Sequence, residues 1–166
     1  MIAWIGIIGT VIGALVGGGL TILNAHLQTR RQVQQERRKL ILSKLEELHG
    51  AITHLRAEHM EALVRLLTEQ GNAEVKQQAI ERRDLSAERI QMLVGFYAPE
   101  LSKHIPQMLK ASISYMETTI SYVMDKRAGQ DQKENSFDVV LSKREDLDRI
   151  LTIMQFELED IAKKYI

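Results

Sequence analysis

Residues 40–67 read LILSKLEELHGAITHLRAEHMEALVRLL. Taken at alternating steps of four and three, Ile41, Leu45, Leu48, Ile52, Leu55, His59, Ala62 and Leu66 form one stripe, the spacing of an α-helix with a single apolar face. Leu42, Leu63 and Leu67 widen that stripe beyond two positions per heptad. A face this broad is expected to be buried in a folded bundle rather than in the narrow seam of a coiled-coil stalk.

The pattern continues toward the C-terminus. Gly71 suits the end of this helix and Asn72 the cap of the next,. A second helix, about 73–97, is polar in its first half. Its second half, RIQMLVGFYA, concentrates Ile90, Met92, Leu93, Val94, Phe96 and Tyr97, and only this half is expected to be buried. Pro99 and Pro106 each suit the first turn of a helix and together predict a short turn before a third helix,. That helix runs to about Ala128, with Leu109, Ile113, Met116, Ile120 and Val123 as its inner face. The polar loop GQDQKENS, 129–136, follows. A fourth helix then carries Leu147, Leu151, Met154, Leu158, Ile161 and Tyr165 on one side and the surface pairs Arg144 with Asp148 and Glu145 with Arg149 on the other,. Ser142 and Glu145 have capping-box spacing, but if the helix starts near Ser136 they are a surface pair,. Four amphipathic helices with short connections predict an antiparallel four-helix bundle over residues 40–166.

Toward the N-terminus the character changes twice. Residues 24–39, NAHLQTRRQVQQERRK, hold Arg30, Arg31, Arg37, Arg38 and Lys39 against Glu36 alone. Across the whole chain, 22 basic residues balance 22 acidic ones, so this segment is locally basic and the remainder acidic. Before it, Ile2 to Leu23 contains no ionisable side chain. About 22 helical residues rise roughly 33 Å, enough for a hydrocarbon core of about 30 Å. The start, MIAWIG, lacks the basic n-region of a cleavable signal peptide,. Trp4 stands at an interfacial position, and the arginines after the span orient it with the C-terminal side in the cytoplasm,. The expected fold is therefore all-α: an N-terminal transmembrane helix, 2–23, continuous through a basic juxtamembrane connector, 24–39, with a long helix of the cytoplasmic bundle.

Within the span, Gly9, Gly13 and Gly17 recur every fourth residue, and with Gly6 they line one shallow groove,. Helices in lipid associate through close backbone approach at such small-residue faces, so copies of the chain are expected to self-associate there. Gly18 and Gly19 lie off the groove. The plainer reading of the basic segment is a stop-transfer and orientation signal drawn to anionic lipid; in an assembly, Arg30, Arg31, Arg37 and Arg38 would form rings beneath the membrane, repelling one another or framing a water-filled vestibule that favours anions. Without interleaved aromatics, the segment does not argue for nucleic acid as a partner.

Little in the chain points to catalysis. With no cysteine, it has no disulfide framework, thiolate nucleophile or Cys-based metal site. His49, His54 and His59 recur every five residues, each rotated about 140° from the last, and cannot converge on one metal. Glu46 and His49 have the Glu-x-x-His spacing of di-iron bundles,. No second such pair exists, since Glu100 and His104 are one residue too far apart and Glu46 points off the apolar stripe. No nucleophile elbow or phosphate loop occurs. His59, on the apolar stripe, reads as a hydrogen-bonded core position, with a pH switch as the sharper alternative. No enzyme activity, cofactor or metal is expected.

This layout of one span followed by a helical domain resembles the small membrane accessory proteins of RNA-targeting CRISPR systems. Their helical domain is similar to the HEPN nuclease fold, and their copies assemble into a membrane pore. The phrase MLVGFYAPEL, 92–101, also resembles a short segment of uncharacterised bacterial single-pass proteins. The HEPN signature, Arg then four to six residues then His, is absent at His26, His49, His54, His59 and His104, so no nuclease role carries over. The resemblance implies a membrane-perturbing effector or pore in the bacterial inner membrane, acting in anti-phage defence as a homo-oligomer. The alternative expectation is a passive anchor or scaffold that recruits a cytoplasmic protein through its bundle.

Overall fold

A computed structural model describes the backbone of residues 2–68, 73–129 and 137–166; within those ranges side chains are described from residue 24 onward, Ala73 and Arg127 apart. Among the described residues there are four α-helices and no strand. They are α1 (Ile2–Thr68), α2 (Ala73–Tyr97), α3 (Ile105–Arg127) and α4 (Phe137–Lys163), with a 3-10 segment, Pro99–His104, between α2 and α3. The chain divides into two compact units, residues 1–40 and 41–166. In the first, every described side chain, from 24 to 40, is exposed. Among the described residues no helix is long and apolar enough to cross a membrane, and the side chains of 2–23, the predicted span, are not among them. Gly71 and Asn72, the predicted helix end and cap, also lie outside the described residues, as does most of the 129–136 loop.

Residues 41–166 form an antiparallel bundle whose directions follow from its polar contacts. Glu47 meets Arg89 and Glu61 meets Arg82, so α2 descends as α1 rises. Arg56 bonds Asp148 and Thr152, while Gln155 bonds Thr53, so α4 also runs against α1. His59 meets Ser112, and Leu66 packs near Val123, so α3 runs with α1.

The stripe on α1 is the wall of the core. Leu45, Leu48, Ile52 and Leu55 pack with Ile90, Leu93 and Val94 of α2, Leu101 of the 3-10 segment, Met108 of α3, and Leu147, Leu151, Met154, Leu158 and Ile161 of α4. Side chains buried to this degree contribute roughly 1.5–3 kcal/mol each. Leu63 with Tyr115 and Val140, and Leu66 with Val75 and Val123, extend the core along the bundle. Both prolines act as expected, Pro99 opening the 3-10 segment and Pro106 the first turn of α3. Gly129, at φ 68°, follows α3 in the left-handed conformation that glycine adopts without steric cost,.

Several expectations need correction. On α2, Met92 and Phe96 are exposed although the apolar run around them predicts burial. The run is continuous, but the helix turns about 100° per residue, so Ile90, Leu93, Val94 and Tyr97 face the core while Met92 and Phe96 face away. The first half of α2 is not wholly excluded from the core either, since Val75 is buried. On α3 the inner face is rotated from the predicted one: Ile113 is exposed, and Met108, Ser112, Tyr115, Met116, Thr119 and Val123 are buried. The two hydroxyls can be buried because each has a partner, Ser112 at His59 and Thr119 at the Tyr115 carbonyl,. Because α4 begins at Phe137, Ser142 lies inside the helix and, of the two readings of Ser142 and Glu145, the surface one applies. Leu67 is exposed at the end of α1.

Candidate functional site

Three groups of residues stand out once the helices are in place. The first is the basic segment of α1. Arg30, Arg31, Arg37, Arg38 and Lys39 are all exposed, and the only acidic residue among them is Glu36. Residues seven apart on a helix differ by about 20°, so Arg30 stacks above Arg37 and Arg31 above Arg38. The result is two rows of guanidinium groups about 100° apart. Always charged and rich in donors, they suit carboxylate or phosphate oxygens. Gly6, Gly9, Gly13 and Gly17 fall on the α1 backbone but outside the residues whose surroundings are described.

The second group is a polar node in the core. His59 is 3% exposed and Ser112 1%. The His59 Nδ1 lies 2.7 Å from the Leu55 carbonyl oxygen and its Nε2 2.9 Å from Ser112 Oγ. A carbonyl only accepts, so Nδ1–H donates to it, and the neutral ring accepts the Ser112 hydroxyl proton at Nε2. The Tyr115 ring stands 5.3 Å from the imidazole, and its hydroxyl donates to the His59 carbonyl at 3.4 Å. Burial pushes the imidazole pKa below its ordinary value of 6.5, against the Leu55 hydrogen bond that raises it,. A hydroxyl against a histidine nitrogen has the outline of a nucleophile and its base. Here, though, the pair is almost wholly buried and the ring is oriented by a carbonyl rather than a carboxylate. The node ties α1 to α3 through the His59–Ser112 hydrogen bond.

The third group is a row of apolar side chains on α2 that faces solvent. Leu85 is 67% exposed, Met92 52% and Phe96 78%. Leu85, at one end of the row, lines a groove between α1 and α2 together with Gly50, Ala51, His54 and Ser86, crossed by the Glu47–Arg89 pair at 2.8 Å. Ser86 hydrogen-bonds Glu58 within it. Arg82 reaches Glu61 at 3.4 Å further along.

His59 is legible from its place on the α1 stripe. Ser112 and Tyr115 are not, since an inner face drawn through the aliphatic residues of α3 passes beside them. The spacing of Ser112, Tyr115 and Thr119, three and then four, is the signal that marks them as one face. Among the described residues no three His, Asp or Glu side chains are placed to hold a metal ion. Glu46, His49 and His54 are each exposed. No protein-family model matches the chain, and no curated protein or solved structure is significantly similar to it.

Proposed function

We propose that the chain is a single-pass protein of the bacterial inner membrane whose copies assemble and perturb the bilayer, as a pore in defence against phage, with the bundle on the cytoplasmic side. The observation that carries this reading is the succession over residues 2–39. A segment without an ionisable side chain, long enough to span, is followed at once by a helix exposed on every side that carries five basic residues against one acidic residue,. Gly6, Gly9, Gly13 and Gly17 supply the face for close approach between copies,. The Arg30/Arg37 and Arg31/Arg38 rows of several copies would then surround a common axis with positive charge, which attracts anions and anionic lipid.

A passive anchor that recruits a cytoplasmic protein is the second reading, and the mostly exposed, polar first half of α2 favours it. Gly13→Leu separates the two. In an assembled pore, a leucine in the groove pushes the helices apart, so the detergent-extracted complex falls to monomer mass and leakage of a small dye from cells ceases. A scaffold carrying the same change remains inserted, keeps its partner and shows no leakage before or after. A strictly monomeric wild-type complex would remove the pore reading.

A further inference from the structure

We infer that α2 is a self-association surface at which two copies of this chain pack in parallel, Leu85, Met92 and Phe96 of each copy against the same residues of the other. The inference rests on the reading that copies of this chain assemble, and it locates one contact outside residues 2–23.

The row has the shape such a contact needs. Residues 85, 92 and 96 fall within about 40° of one another around the helix and extend along roughly 16 Å of it. All three are large, apolar and more than half exposed. Exposed apolar residues scattered singly need no explanation, but three on one line form a strip that association would cover.

Charge identifies the occupant. Glu81 and Glu88 lie along one edge of the strip and Arg82 and Arg89 along the other, each about 40–60° from the centre line,. All four side chains are exposed. When two identical helices pack in parallel about a two-fold axis, the left edge of each meets the right edge of the other. Glu88 then stands beside the partner's Arg89 and Glu81 beside the partner's Arg82, and symmetry makes each contact twice. An antiparallel pair keeps like edges together and sets acid against acid and base against base. A second copy in parallel therefore satisfies the strip and both its edges with no other component. The intrachain pairs of Arg82 with Glu61 and Arg89 with Glu47 hold the guanidinium groups in place, and a guanidinium with five N–H donors retains some for a second carboxylate.

The natural absence of cysteine makes the test direct. Single-cysteine forms of the full chain, Leu85→Cys, Met92→Cys and Phe96→Cys, are oxidised in the membrane, beside Ile153→Cys on the exposed face of α4. Parallel packing brings each α2 position to its own copy, so all three should yield disulfide-linked pairs while Ile153→Cys yields none. Adding Glu88→Arg to Met92→Cys should lower the linked fraction several-fold, and adding Arg89→Glu to that form should restore it. Linkage at fewer than three of the α2 positions, or equal linkage at Ile153→Cys, overturns the inference. If the extracted complex is then still multimeric, the assembly reading stands and only the α2 contact fails; a monomeric mass removes both.

Discussion

His59 occupies a position where the stripe on α1 calls for a leucine, and its two hydrogen bonds explain why the core accepts it. Removing the Ser112 hydroxyl leaves Nε2 buried without a donor, so Ser112→Ala should destabilise the bundle by about 1–3 kcal/mol, read as a lower thermal midpoint by helix circular dichroism. The lowered pKa of His59 also sets a pH dependence. At pH 8 the ring is neutral in folded and unfolded chain alike. As pH falls through about 6.5 the unfolded chain takes up a proton that the buried ring refuses, so stability declines until the lower folded value is passed. Arg83 adds to the refusal and Glu58 opposes it. Denaturant midpoints measured from pH 8 to pH 5 should therefore fall, and His59→Gln should flatten the part of the slope that begins near pH 6.5. Gly50 is a simpler case. A Cβ there would meet nothing within 4 Å, and glycine inside a helix costs roughly 1 kcal/mol relative to alanine. Gly50→Ala should raise the midpoint accordingly.

At the scale of the helix, periodicity located the elements better than it located their faces. The α4 stripe is buried as expected from Leu147 to Ile161, because it steps unbroken by four and three while Arg149, Thr152, Glu159 and Asp160 hold the opposite side in solvent,. The run ILTIM, 150–154, tests this directly. Leu151 and Met154 are buried while Ile153 is exposed, so Leu151→Ala should cost about 2–5 kcal/mol and Ile153→Ala almost nothing. On α2 and α3 the apolar residues are too dense, or too mixed with hydroxyls, for the inner side to be unique. The rotation was then decided by neighbours: Leu48 and Ile52 drew in Ile90 and Leu93, and His59 drew in Ser112. Pairing between helices was equally invisible. Asp148, which spacing assigns to Arg144, is reached at 3.5 Å by Arg144 and at 3.0 Å by Arg56 of α1. Both partners of the Arg56 bridge are about one-third exposed, so a double-mutant cycle with Arg56→Met and Asp148→Asn should give a coupling of only about 0.5–1 kcal/mol, smaller still in high salt.

At the scale of the whole molecule, the local charge imbalance is the property with the largest expected consequence. Orientation in a bilayer follows the distribution of Lys and Arg beside a span rather than net charge. Replacing Arg30, Arg31, Arg37, Arg38 and Lys39 together by glutamine should give a mixed population, seen as partial protease accessibility of a C-terminal tag from outside the cell. The charge imbalance, and among the described residues the number of helices and the segments they occupy, are written in the chain, because they depend only on which residues follow one another at the helical repeat. Which way α2 and α3 turn, which carboxylate meets which arginine, and that Leu85, Met92 and Phe96 are left facing water emerge only from the packed bundle. They depend on competition among four helices for one interior, and local spacing carries no record of who the competitors are.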